Sequence, residues 1–172
     1  MGNIAPYPIA GEAAIKHSME GRDHGGALET AGGIAKALPL LTSRGDDSFW
    51  VVSGDVFLPG FGFDAGFAQR FAAGPTWAHL WLVANAEHHP QGDFGIDAQG
   101  LAVADAPRRR TWASVGVFRA AMFHDVAVGT KLPLRPLLDD AIARRRISAQ
   151  AWDGEWTDVG SVERLRSLND TA

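Results

Sequence analysis

Unbroken apolar runs alternate along the chain with stretches in which apolar residues recur at helical spacing. Residues 49–53 are apolar without alternation, which suits a central strand covered on both faces. Residues 79–84 make a second apolar strand, and 111–118 and 147–152 two more. Between them, Ile34, Leu38 and Leu41 fall on one helical face, within a loop that turns into a helix over 27–41. Residues 64–73 read as a helix with Asp64 as N-cap and Phe67 and Phe71 four apart. Residues 134–146 read as another, with Leu134, Leu137, Leu138, Ala141 and Ile142 inward and Arg144, Arg145 and Arg146 in the last turn, where cations suit the helix dipole. A final helix opens at Ser161. The weaker patterns predict a loop over 1–14, a short strand over 15–20, a glycine-rich loop over 21–26 and a small hairpin over 93–96 and 101–104. Strands alternating with helices indicate an α/β sheet with helices on both faces.

Composition narrows the class. A chain of 172 residues predicts one domain over 1–172, long enough to bury a real core. The net charge of −4 argues against a protein that grips nucleic-acid phosphates. There is no cysteine, so thiolate metal sites and disulfides are excluded, and the absence suits a cytoplasmic protein. No apolar run approaches the ~20 residues that span a bilayer, and the first residues lack the pattern of a signal peptide.

Two segments carry the candidate chemistry. Trp50-Val51-Val52-Ser53-Gly54-Asp55 runs from an apolar strand straight into Gly-Asp, and Trp156-Thr157-Asp158-Val159-Gly160 sets a second aspartate beside glycine. Carboxylates at the carboxyl ends of strands lie where open α/β sheets bind ligands, and two of them suit a hard cation such as Mg²⁺. Each segment alone also reads as a strand-ending turn. Gly32 and Gly33, at the start of a helix, would let a ligand approach backbone N–H groups, or would serve loop geometry alone. Adjacent His88 and His89 lack a third spaced ligand and do not read as a metal site. The runs 108–110 and 144–146 of arginine read as solvated faces, or as help in holding a phosphate. The six tryptophans read as core or pocket wall.

Taken in order, Ala27-Leu28-Glu29-Thr30-Ala31-Gly32-Gly33-Ile34, Val51-Val52-Ser53-Gly54-Asp55-Val56, Gly92-Asp93-Phe94 and Trp156-Thr157-Asp158-Val159-Gly160 resemble the sugar-1-phosphate nucleotidyltransferases. The match is closest in the branch that holds the N-acetylmuramate α-1-phosphate uridylyltransferases of cell-wall recycling, with mannose-1-phosphate guanylyltransferase-like proteins as near relatives. The resemblance implies a Rossmann-like nucleotide-diphospho-sugar transferase sheet, mixed and mostly parallel. It implies transfer of a nucleoside monophosphate, UMP foremost, from a nucleoside triphosphate to a sugar-1-phosphate, with pyrophosphate released. It assigns Asp55 and Asp158 to Mg²⁺ and catalysis. It assigns Glu29, Thr30, Ala31, Gly32, Gly33 and Gly54 to the nucleotide and sugar pocket, and Asp93 and Phe94 to the sugar.

Departures from the family are expectations of another kind. The family opens with a strand, a glycine-rich loop bearing an arginine and a Pro-Lys pair that grip the triphosphate, and no such Gly-x-Gly-x-Arg or Pro-Lys occurs here. The expectation is an N-terminally truncated, partial domain lacking a βαβ unit of ~30 residues or more. Its exposed sheet edge predicts self-association or pairing with a complementary N-terminal fragment. The alternative function is a catalytically silent remnant, or half of a split enzyme, that binds ligands or partners. Around Ser114 the sequence also departs from the Ser-Gly usual in the family.

Overall fold

The apolar runs predicted as strands pair into a single four-stranded sheet. A computed structural model describes residues 16–43, 45 and 47–171. The elements, in chain order, are α1 (Glu20–His24), α2 (Glu29–Leu41), β1 (Ser48–Val52), β2 (Val56–Phe57), α3 (Ala65–Ala73), β3 (Ala78–Val83), β4 (Gly95–Ile96), β5 (Ala102–Val103), β6 (Thr111–Arg119), a 3₁₀ turn (Ala120–Phe123), α4 (Arg135–Ala143), β7 (Ile147–Ala151), β8 (Thr157–Asp158) and α5 (Val162–Thr171). The sheet runs β1-β6-β3-β7. β6 pairs antiparallel with both β1 and β3, and β7 pairs parallel with β3. Three of the four strands therefore point the same way and β6 alone is reversed. The sheet is mixed, with two antiparallel pairings and one parallel, and the carboxyl ends of β1, β3 and β7 share one edge with the start of β6.

Both faces are covered, which is why β3 is buried along its whole length and shows no alternation. On one face α2 and α4 pack Ile34, Ala35, Leu138 and Ile142 against Leu80, Leu82, Phe118 and Ile147. On the other, α3 and the loops bring Phe67, Phe71 and Phe61 against Trp81, Val115 and Val117. Trp50 stacks on Trp81 at 5.0 Å, and Phe61 meets both Trp81 and Trp152 edge-on. Asp64 caps α3 by accepting the Gly66 N–H at 2.8 Å. The Arg119 guanidinium closes the other end of α3, donating to the Ala72 and Gly74 carbonyls at 2.7 Å each.

Several expectations change. The predicted strand over 15–20 and loop over 21–26 are replaced, within the described residues, by a short connection and α1; residues 1–15 lie outside them. Glu20 explains the helix, since its carboxylate accepts the Leu28 N–H at 2.7 Å and so ties α1 to the start of α2. β1, expected at the centre, is an edge strand among the described residues. α4 ends before the arginine run: Arg144 caps it, and Arg145 turns the chain at a φ of 56° toward β7.

Candidate active site

A depression of about 400 Å³ opens at the shared edge, where loops leave β1, β3 and β7. Asp55 follows β1, His88 and His89 follow β3, and Asp158 follows β7. Thr111, Trp112 and Ser114 at the start of β6 form the floor, and Trp156 forms a wall. Both indoles are fixed, Trp112 donating to the Val115 carbonyl at 2.9 Å and Trp156 to that of Ala113 at 3.1 Å. Ser114 holds φ at 58°, a left-handed conformation unusual for a non-glycine residue. It lies where β6 bulges: β3 advances from Leu80 to Leu82 while β6 covers Gly116 to Trp112.

Asp55 and Asp158 do meet, but on a ribbon of their own rather than on two strands of the main sheet. β2 and β8 pair antiparallel with Val56 opposite Asp158, and the Val159 N–H donates to the Asp55 carbonyl at 2.8 Å. The two carboxylates converge over Gly160, where an added Cβ would lie 2.9 Å from Asp158 Oδ1 and 3.3 Å from Asp55 Oδ2. Asp158 is held in place: Oδ1 accepts the Gly160 N–H at 2.7 Å and Arg164 Nη2 at 3.2 Å, and Oδ2 lies 3.6 Å from His88 Nε2. Burial pushes its carboxyl up, but the Gly160 N–H, Arg164 and His88 outweigh that and hold it below the usual carboxylate range. Asp55 is exposed.

Asp93 joins the same depression. Its Oδ2 accepts the Trp112 N–H at 2.9 Å, while Oδ1 lies 3.4 Å from His89 Nε2 and 3.6 Å from Arg135 Nη1. Phe94 does not face it. The ring is 1% exposed, packs into the core and lies under Arg135 at 4.7 Å. Gly54 precedes Asp55 without lining the depression, and the segment from Glu29 to Gly33 does not line it either.

The glycine pair serves packing, which corrects the expectation of free N–H groups. The Ala31 and Gly32 N–H groups both donate to the Leu132 carbonyl, at 3.0 and 3.1 Å, and a Cβ at Gly32 would meet the Thr130 carbonyl oxygen at 2.1 Å. Glu29 Oε1 is 3.7 Å from Lys131 Nζ. The histidines are the residues that spacing alone set aside. Each turns to a different aspartate, and the only hint was their place in a loop just past an apolar strand.

The carboxylate pair fits a small hard cation that keeps most of its shell from water and phosphate oxygens. Gly160 keeps a side chain out of the space between them, and Arg164 Nη2 borders the same space, 3.4 Å from where a Cβ would lie. Among the described residues no group of three or more His, Asp or Glu is placed to hold a metal alone. No helix among them is long and apolar enough to cross a membrane.

No protein-family model matches the chain. It is 42% identical over 145 residues to the N-acetylmuramate alpha-1-phosphate uridylyltransferase of Neisseria meningitidis serogroup B, a match covering 82% of this chain and 61% of the relative. The chain thus spans about three-fifths of that relative's length. In shape it is similar to a Bacillus anthracis protein assigned as a glucose-1-phosphate thymidylyltransferase, solved with a sucrose (TM-score 0.62, 14% identity, 83% of this chain and 60% of that one). It is also similar to HddC from Yersinia pseudotuberculosis complexed with GMP-PN (TM-score 0.56, 13% identity, 84% and 62%). At such identities these likenesses establish the fold.

Proposed function

We propose that the chain, 42% identical to a relative of which it covers 61%, is a sugar-1-phosphate nucleotidyltransferase and serves transfer of UMP from UTP to N-acetylmuramate α-1-phosphate. In this reading a sugar-phosphate oxygen attacks the α-phosphorus in line and pyrophosphate leaves. What carries it is the convergence of Asp55 and Asp158 over Gly160.

Asp55 and Asp158 would hold a divalent cation such as Mg²⁺, which supplies charge to offset that building on the phosphate oxygens. The protein's own part is positioning. Gly160 and Arg164 fix Asp158 so that one ligand is set before substrate arrives. Asp93, fixed by the Trp112 N–H, presents a carboxylate to the sugar hydroxyls. Trp112 and Trp156 exclude water from one side of the depression. No nucleophile from the protein is needed. We place the reaction in the cytoplasm, on sugars recovered from the cell wall, and assign the open edge of β1 to self-association or to a complementary N-terminal segment. A silent domain is less favoured, because both aspartates stand in one depression and converge beside Gly160.

The test is pyrophosphate release from UTP with N-acetylmuramate α-1-phosphate and Mg²⁺. Release above background is expected, with Asp55→Ala lowering it by about 10²–10³-fold. No release with UTP or GTP and any sugar-1-phosphate would overturn the reading.

A further inference from the structure

We propose that a second lobe of the depression, walled by Arg109 and Arg135, is a subsite for a carboxylate borne by the sugar-1-phosphate acceptor. The inference rests on the nucleotidyl-transfer reading above and names what distinguishes its acceptor. The lobe encloses about 330 Å³, and His88, His89 and Asp93 line both it and the first. The two lobes thus share a boundary of three side chains, with opposite charge on its two sides.

The charge asymmetry is specific. The first lobe carries three aspartates and no arginine or lysine. The second carries two arginines and shares only Asp93 among the acids. Arg135 is partly committed, its Nε donating to Asp139 at 2.8 Å while Nη1 lies 3.6 Å from Asp93. Arg109 is half-buried, and among the described residues its guanidinium has no hydrogen bond or ion pair, whereas neighbouring Arg110 is paired with Asp153 at 3.0 Å. Its N–H donors are thus unclaimed by any described protein group, and an anion in the lobe would supply the partner.

The Arg109 wall is preset. Asn85 Nδ2 donates to the Pro90 carbonyl at 3.0 Å and to the Arg109 carbonyl at 3.1 Å, and Thr111 Oγ1 donates to Asn85 Oδ1 at 3.0 Å. Gly92 packs against the same backbone at a φ of 61°, and an added Cβ would lie 2.8 Å from the Arg110 carbonyl carbon and 2.9 Å from that of Arg109. The histidine loop and the Arg109 segment are therefore locked together, and little ordering remains for binding to impose.

Carboxylate and phosphate are both anions that arginine accepts, and position separates them. The phosphates belong with the cation between Asp55 and Asp158. An anion in the second lobe must then be another group on the same sugar, and a planar fork of N–H donors matches a carboxylate. N-acetylmuramate meets this requirement through its lactyl ether, whereas N-acetylglucosamine has a hydroxyl there.

Calorimetric binding to the full chain with Mg²⁺ tests the assignment, using N-acetylmuramate α-1-phosphate, N-acetylglucosamine α-1-phosphate and free N-acetylmuramate. The first should bind about 10–100-fold tighter than the second. Arg109→Gln should erase that preference while leaving the second ligand's affinity as it was, and Arg109→Lys should restore part of it. Free N-acetylmuramate should lose affinity in Arg109→Gln. Thermal unfolding reports whether each variant is folded. Equal affinities for the two sugar phosphates, or an equal loss for both in Arg109→Gln, would overturn the subsite, the latter by assigning Arg109 to phosphate. Pyrophosphate release alongside that result would leave the proposed reaction standing. Absence of both binding and release would overturn the two readings together.

Discussion

Asp55 and Asp158 are joined through backbone before they are joined by any ligand. The Asp55 carbonyl takes the N–H of the residue after Asp158, and Val56 sits opposite Asp158 in the β2–β8 ribbon. The 102 intervening residues bring the ribbon together at the edge where three strands end. One carboxylate is fixed by Gly160 and Arg164 and the other is exposed, so the pair combines a preset ligand with an adaptable one.

Gly160→Ala tests the space between them without removing a carboxylate. The new methyl would lie 2.9 Å from Asp158 Oδ1 and 3.3 Å from Asp55 Oδ2. Mn²⁺ binding, followed by paramagnetic relaxation of water, should weaken by about 10–100-fold, as for loss of a supporting group around a metal. Unchanged affinity would show that the cation does not sit between these oxygens.

Gly32→Ala should destabilise the protein although Ala is the better helix former. Helix propensity favours Ala by ~1 kcal/mol. Against it, the methyl would meet the Thr130 carbonyl oxygen at 2.1 Å, a backbone atom with little freedom to yield. Overpacking of that kind costs about 1–3 kcal/mol and here falls at the upper end, leaving a net loss of about 2 kcal/mol. Urea denaturation reads the difference, and a stabilised variant would mean that the loop around Thr130 gives way.

His79 sets a pH dependence of stability. It lies in the middle of β3, 7% exposed, between Phe67 and Trp81, with Nδ1 2.9 Å from Ser148 Oγ and Nε2 without a partner. Burial lowers its pKa from 6.5 to about 4. Above pH 6.5 the ring is neutral in both the folded and the unfolded chain. Between there and pH 4 only the unfolded chain takes up the proton, so stability falls as the medium is acidified, by up to about 3 kcal/mol. His79→Phe should lose that component. Chemical denaturation at pH 7 and pH 4.5 should show a smaller drop for the variant than for the parent, and parallel drops would refute the assignment.

The parts of this molecule legible in the sequence are those where one local pattern decides the outcome. Asp64 before an apolar helical face gave α3, and the unbroken run through Leu80 and Leu82 gave a doubly covered strand. Asp55 at a strand edge was legible because glycine and aspartate after a β run end it there. Where a distant partner decides, the local pattern misled. Gly32 and Gly33 suggested a ligand cradle, but the Leu132 and Thr130 carbonyls lie against Gly32 and the Glu20 carboxylate against Gly33. Residues 20–24 became helix because Glu20 reaches Leu28. His88 acquires meaning only beside Asp158, seventy residues away in β8, and His89 only once its own loop folds back to bring Asp93 within reach.

The reversed strand has a consequence for synthesis. β1 emerges from the ribosome early, yet its only partner among the described residues is β6, and Val52 must wait about sixty residues for Val115, some 3–12 s at translation rates of ~5–20 residues per second. Throughout that interval Trp50, Val51 and Val52 present an unpaired apolar edge. Slowing elongation between β3 and β6 should therefore lower the soluble yield of this chain more than slowing it after β7, when the last strand of the sheet has already been made.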